Sequence, residues 1–435
     1  MKKPFLVIVL LTLLTAMLFA GGQGESVGKA KITVWGCFTE LQAPLDKAIE
    51  IFVQENPEAQ VEALVFDLRD FEAKVAATAP VGQAADLLAM DSALTARYAK
   101  AGILSNAPAD VEKLVKTPGR YLPIAPGKAS HQGKVVGLPF FGGGPALFYN
   151  KDYLTEAGLS KPPATVDELY NYAVKLTKKD ATGTLTRAGY SIRLTGPAGG
   201  SQKWAFITNQ MLGGDFIEFG KTPGTFYANL DNEESARALQ WHIKLLHGKD
   251  KSDDWALPHD AAGFAAGAVA MFMRESWVIP QTKADGPNIN FDVAYQPRDK
   301  YWRIYDWLVN TCVPESGKQK NVAWAFAKVM QKEEVMEVLY KDSGWIPSRR
   351  DISFSNVVSA EPRFKPFIEI PKDAQIYFEA DASSYSELWA KVGEVIQEAF
   401  RDASLLNNLN GSRAVVKNAN ELANQILKDS GEYGK

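Results

Sequence analysis

Four histidines, His131, His242, His247 and His259, are all the chain offers for imidazole chemistry, and none stands at zinc-ligand spacing from a cysteine. His242 falls within a helical pattern of apolar residues and reads as structural. There is no Gly-x-Ser-x-Gly nucleophile elbow and no His-Glu-x-x-His zinc helix. Gly220-Lys221-Thr222 resembles the end of a phosphate-binding loop, but that loop needs glycine where Asp215 stands. Asp and Glu number 51, so counting cannot exclude a glycosidase-like pair, although no spacing points to one. Cys37 and Cys312 lie far apart; a disulfide and two buried thiols both remain open. No cofactor or metal site is predicted. What stands out is aromatic: 10 Trp, 15 Tyr and 22 Phe. Core packing accounts for most of them, but not readily for tryptophans in loop-like contexts.

The elements that position these residues alternate. Lys31-Ile32-Thr33-Val34-Trp35 is β-branched and alternating, which predicts a first strand. Leu41, Leu45, Ala48, Ile49 and Phe52 recur at helical spacing. That helix stops at Asn56-Pro57, because proline disfavours helix in the residue before it. Residues 61–66 read as a second strand, 71–79 as helix and 87–90 as a third strand, followed by a helix ending near Gly102. Such alternation implies an α/β fold with a mostly parallel sheet. Two further strands, Val135-Val136-Gly137-Leu138-Pro139 and Ala146-Leu147-Phe148-Tyr149, flank Gly142-Gly143-Gly144-Pro145. The glycines suit a hinge or a wall close to a ligand, and equally an ordinary turn. Thr165-Val166-Asp167-Glu168 fits a capping box. Amphipathic helices are expected over 233–247, 321–341, 386–401 and 412–428. No repeat of 20–50 residues is present.

Lys and Arg number 48 against 51 acidic residues, a net charge of −3, which argues against nucleic acid as a partner. A length of 435 residues suggests two domains at about 100–200 residues each. Residues 1–20 read as an export signal: Lys2 and Lys3, an uncharged apolar run over 5–20, then small residues at Ala20-Gly21-Gly22. The run is short for a membrane span, which needs about 20 apolar residues. Residues 21–30 read as a flexible tether. No cysteine stands at the cleavage point, so no lipid anchor is predicted.

Six stretches then match a known family in order. Ile32-Thr33-Val34-Trp35 with Phe52-Val53-Gln54-Glu55-Asn56-Pro57 is the first, and Ala85-Asp86-Leu87-Leu88 the second. Gly133-Lys134-Val135-Val136-Gly137-Leu138-Pro139 with Tyr149-Asn150-Lys151-Asp152 is the most diagnostic pair. Pro162-Pro163-Ala164-Thr165-Val166-Asp167-Glu168-Leu169 follows, then Phe264-Ala265-Ala266-Gly267-Ala268-Val269-Ala270-Met271 leading to Trp277, then Gly344-Trp345-Ile346-Pro347-Ser348-Arg349. Together they resemble the extracellular solute-binding proteins of bacterial ABC importers, in the group that includes maltose-binding protein.

The resemblance implies a two-lobed periplasmic-binding-protein fold, α/β in class, with a ligand cleft between the lobes. Lobe 1 would be 31–139 with 303–343, and lobe 2 would be 140–300 with 344–435. The chain would cross near 140–144, 298–303 and 344–347. A solute bridging the lobes would favour the closed state, which the permease subunits of an ABC transporter would read. The protein would be a periplasmic or extracellular monomer without enzymatic activity. A sugar site wants aromatic faces for the C–H faces of a pyranose, and charged or amide groups for its hydroxyl rim. Trp277 stands where the family places a cleft tryptophan. Trp35, Phe38, Glu40 and Asp91 lie at or after strand ends, where ligands collect in open α/β sheets. Phe141 and Gly142 sit at the first crossing, Asp306 and Trp307 after the second, and Trp345 at the last. Arg274 and Glu275 complete the expected ligand set, or simply pair with each other. A polyamine remains open through Asp91, Glu275 and Asp306, and an exported carbohydrate-active enzyme is the rival from another class.

Overall fold

The computed structural model describes residues 30–194, 200–213, 216–258, 260–353 and 355–435. The export signal, the tether up to residue 29, Asp215 and His259 lie outside the described residues. The strands that matter below are β1 (Lys31–Gly36), β2 (Gln60–Val65), β3 (Leu87–Asp91), β4 (Gly137–Gly142), β5 (Ala146–Asn150), β6 (Met271–Arg274), β7 (Phe291–Ala294), β8 (Arg303–Asp306), β9 (Leu308–Cys312), β10 (Ile346–Pro347) and β11 (Gln375–Phe378).

One sheet has the order β10-β4-β9-β3-β1-β2. β1 pairs in parallel with β2 and β3, as β-branched runs joined through helices require. β9 runs antiparallel to both β3 and β4, so the expectation of a mostly parallel sheet holds on one side only. Register gives the reason. Leu308 lies opposite Gly142 and Val309 opposite Asp91, so β9 starts where β3 and β4 end. β10 likewise starts there, with Ile346 opposite Gly142. The passages of the chain between this sheet and the rest of the molecule near Gly142 and Leu308 therefore occur at one end of the sheet, where β10 also begins.

Beyond that end lie a three-stranded antiparallel sheet, β6-β5-β7, and the parallel pair β8-β11. The apolar core divides accordingly. One part gathers Ile32, Leu87, Phe140, Val309, Phe326 and Leu339. Another gathers Trp204, Leu239, Leu388, Phe400 and Val416, with a smaller group around Phe148, Phe264 and Phe272. This is the two-lobed α/β architecture.

The glycine run is explained at two positions. A Cβ on Gly142 would overlap the Trp307 carbonyl oxygen, and one on Gly144 the Tyr305 carbonyl oxygen. Two crossing segments thus pack backbone to backbone, which only glycine permits. The helix expected over 321–341 is two helices, Lys320–Val329 and Glu333–Lys341. Gln331 lies at the break, where its side chain accepts from Tyr121 Oη at 2.9 Å and donates to the Pro139 carbonyl at 3.0 Å. Its own carbonyl accepts from Arg349 Nη1 at 2.6 Å. These tertiary bonds replace the helical ladder. Half of the capping box forms: Thr165 Oγ1 accepts from the Glu168 amide at 3.1 Å, whereas the Glu168 carboxylate reaches one residue further back, accepting from the Ala164 amide at 2.7 Å. Cys37 and Cys312 are separate, buried thiols. Among the described residues no helix is long and apolar enough to cross a membrane.

Candidate functional site

Loops leaving the large sheet bring four aromatic residues to its crossing end. Phe38 follows β1, Phe141 is the last residue but one of β4, Trp307 joins β8 to β9, and Trp345 precedes β10. From the other lobe, Trp277 caps the helix Val278–Asp285 after β6. Trp345 is the centre, with ring centroids 5.2 Å from Trp307, 5.3 Å from Phe141, 5.4 Å from Phe38 and 6.4 Å from Trp277. Tilted and edge-on pairs at these separations are favourable. Trp345 and Phe141 are almost wholly buried, whereas Phe38, Trp277 and Trp307 keep part of their surface open. Among the described residues no acceptor reaches the buried Trp345 Nε1. Gly344, at φ +75°, permits the close fit: a Cβ there would come within 2.6 Å of Trp277 Cα.

Trp35 is not brought to this group. It packs in the core against Phe66 at 5.9 Å, and Lys74 Nζ lies 4.6 Å from its ring centre. Trp204 is buried in the second lobe, and Trp389 packs on Phe216 at 5.1 Å. His242 is buried, stacked on Phe400 at 5.4 Å and bonded to the Ala238 carbonyl at 2.8 Å. Burial pushes its pKa down to about 4, so it stays neutral.

The charged groups fall into three sets. Arg274 and Glu275 are buried and pair through Nε and Oε2 at 3.0 Å. Arg274 Nη1 also reaches Asp260 Oδ1 at 3.1 Å, and Asp260 Oδ2 lies 3.6 Å from Lys203 Nζ. Asp260 and Lys203 have no exposed surface. Burial pushes Lys203 down to about 7, against the pull of Asp260. Burial also works to raise Glu275, but Arg274 and Lys203 outweigh it and hold the carboxyl below its usual range. Nothing in the local sequence announces this network except a lysine set among Trp204, Phe206 and Ile207.

Asp91 ends β3 and caps the next helix, its Oδ1 accepting from the Leu94 amide at 2.7 Å. The adjacent Ser92 Oγ donates to Glu379 Oε1 at 3.3 Å, and Tyr305 Oη donates to Glu379 Oε2 at 2.9 Å. Burial and the Glu379 charge push Asp91 up to about 7. Glu379 and Tyr305 carry no sequence signal, since they follow β11 and lie in β8, far away in the chain. Glu40 is raised by burial, an effect that its own backbone amide and Arg274 oppose.

Asp306 is buried, its carboxylate accepting from the Trp307 amide at 2.9 Å. With Gly142, Gly143, Ser348 and Arg350 it lines a cavity of about 10 Å³ at the crossings, room for one water. Burial raises it to about 6 against the pull of Arg350. Gly142 sits at the same place as close-packed backbone.

Comparison with known proteins agrees with the two-lobed fold. An ABC substrate-binding protein from Listeria monocytogenes, solved in complex with cycloalternan, superposes with a TM-score of 0.78 at 19% identity, covering 93% of this chain and 99% of that one. A solute-binding protein from Thermotoga lettingae, bound with α-D-tagatose, gives 0.76 at 22% identity over 92% and 100% of the two chains. At such identities the likeness establishes the fold. The diacetylchitobiose binding protein DasA of Streptomyces coelicolor is 23% identical over 371 residues, 80% of this chain and 82% of that protein. The family model described as bacterial extracellular solute-binding protein matches residues 47–366, most of the chain, and the protein belongs to that family.

Proposed function

We propose that this protein captures a carbohydrate, a mono- or oligosaccharide, by lobe closure and delivers it unchanged to an ABC importer. The observation that carries the reading is the aromatic group at the crossing end of the large sheet. Phe38, Trp277 and Trp307 offer open ring surface around the buried Trp345. Flat faces of this kind cover the C–H faces of a pyranose at small entropic cost, and Asp91 and Glu40 supply acceptors for hydroxyls. The sugars named for the Listeria, Thermotoga and Streptomyces proteins support the same ligand class. We place lobe 1 at 31–142 with 308–350 and lobe 2 at 143–306 with 351–435, a few residues from the division expected from the sequence, because β8 pairs with β11 outside the large sheet and β10 pairs with β4 inside it. These pairings support crossings near 143–145 and 306–308, and a third after Arg350, since the Ser348 and Arg350 amides still bond the Phe140 and Arg120 carbonyls. The export signal and the family both support work outside the cytoplasm, with permease subunits as the partner.

One observation favours a second ligand class. Ser92, next to Asp91, donates to Glu379 at 3.3 Å, which brings two carboxylates into one neighbourhood that would also receive the ammonium of a polyamine. Thermal unfolding of the mature protein against mono- and oligosaccharides, sugar phosphates and polyamines separates the two. A ligand at a hundredfold excess over its Kd stabilises by about 2.7 kcal/mol. A shift with a sugar supports the proposal; a shift with spermidine alone replaces it. Release of product from a model glycoside would return the enzyme reading.

A further inference from the structure

Trp277 is held on three sides by groups that offer the cleft almost nothing of themselves. Its Nε1 donates to Glu275 Oε2 at 3.3 Å. The same oxygen accepts from Arg274 Nε at 3.0 Å, while Glu275 Oε1 accepts from Gln202 Nε2 at 3.4 Å. The Arg274 guanidinium lies 4.7 Å from the Trp277 ring centre, a cation–π distance. Asp260 anchors that guanidinium from behind at 3.1 Å, and Lys203, donating to the Met273 carbonyl, anchors Asp260. Trp345 and the Gly344 backbone close the third side.

Glu275 and Arg274 are each only 6% exposed; both Glu275 carboxylate oxygens, and Arg274 Nε and Nη1, are engaged with one another, with Trp277, with Gln202 and with Asp260. A residue that binds solute directly would present open lone pairs or N–H groups to the cleft; these two present an oriented indole. We propose that Glu275 and Arg274 are positioning residues, which lock the plane of Trp277 and cover one of its faces so that solute meets a rigid ring on the other. This rests on the reading of Trp277 as the stacking residue. Pre-organising one side chain is worth up to about tenfold in affinity.

The test uses the full mature protein labelled with 5-fluorotryptophan, so that it does not depend on knowing the solute. Trp277 is assigned as the fluorine resonance lost in Trp277→Phe. In Glu275→Gln that resonance is expected to shift and broaden while the other tryptophans stay in place. Arg274→Lys keeps the charge but loses the planar face over the ring, and is expected to move the same resonance if Glu275→Gln does not fold. Affinities for diacetylchitobiose and maltotriose are then measured in a double-mutant cycle. Glu275→Gln is expected to weaken binding about tenfold in the wild-type background and hardly at all in Trp277→Phe. An unmoved Trp277 resonance in both variants overturns the proposal. So does an equal loss in both backgrounds, which marks direct contact with solute. If wild type binds no sugar, the carbohydrate reading fails while the fluorine spectra still decide the positioning role.

Discussion

Asp260→Asn removes one negative charge from a site where nothing is exposed to water. Asp260 faces Arg274 at 3.1 Å and Lys203 at 3.6 Å, both of them buried. Removing one member of a buried ion pair costs about 3–5 kcal/mol, because the partner stays behind uncompensated. Two features place this case at the low end, about 3 kcal/mol. Glu275 still faces Arg274, and Lys203 can shed its proton, since burial already lowers it to about 7. The second feature sets the pH dependence. Lys203 is depressed below its unfolded value of 10.5, so the native state binds fewer protons between about 7 and 10.5. Its contribution is full above 10.5 and is lost as pH falls through about 7. Above pH 7 Lys203 is neutral and the Asp260–Lys203 attraction is already absent, so the deficit of Asp260→Asn shrinks as pH rises. Urea unfolding followed by circular dichroism at pH 6 and pH 9 measures both quantities, provided the slope with urea is unchanged. A cost under about 1 kcal/mol at pH 6, or a deficit that grows with pH, refutes the reasoning about this network.

Three further outcomes are expected. Asp91 is raised by burial and by Glu379 to about 7, so its contribution is full below about pH 4 and is lost as pH rises through about 7. Asp91→Asn keeps an N-cap side chain and is expected to flatten that arm, with a higher Tm than wild type at pH 8 and not at pH 4. Gly144→Ala places a Cβ on the Tyr305 carbonyl oxygen and is expected to lower stability by about 1–3 kcal/mol, whereas Gly127→Ala, with open space around it, stays near neutral. Trp277→Ala removes about half of a roughly 200 Å² side chain from the solute contact. At about 25 cal/mol per Å² that is about 2.5 kcal/mol, or about 70-fold in Kd by titration.

The sequence is most legible where backbone chemistry is local. Alternation at residues 31–35 and the Asn56-Pro57 stop mark β1 and the helix after it, and Gly142 and Gly144 mark a close backbone approach because side chains do not fit there. It is least legible where distant segments meet. The helix break at Gln331 depends on Tyr121 and Pro139, about two hundred residues away, so periodicity alone runs through it. Trp35 and Trp277 look alike as tryptophans near strand ends, yet one packs in the core beneath Lys74 and the other lies half-buried beside Trp345. Lys203, Asp260 and Glu379 earn their places only through residues dozens to hundreds of positions away, and no spacing rule brings them together.

The most direct test of carbohydrate capture is titration calorimetry of the mature wild-type protein with the sugar that gives the largest thermal shift, repeated on Trp277→Ala. Capture of a sugar on Trp277 gives saturable one-to-one binding with a negative heat-capacity change, weakened about 70-fold in the variant. Binding that is unchanged by Trp277→Ala, or heat only with a polyamine, contradicts it.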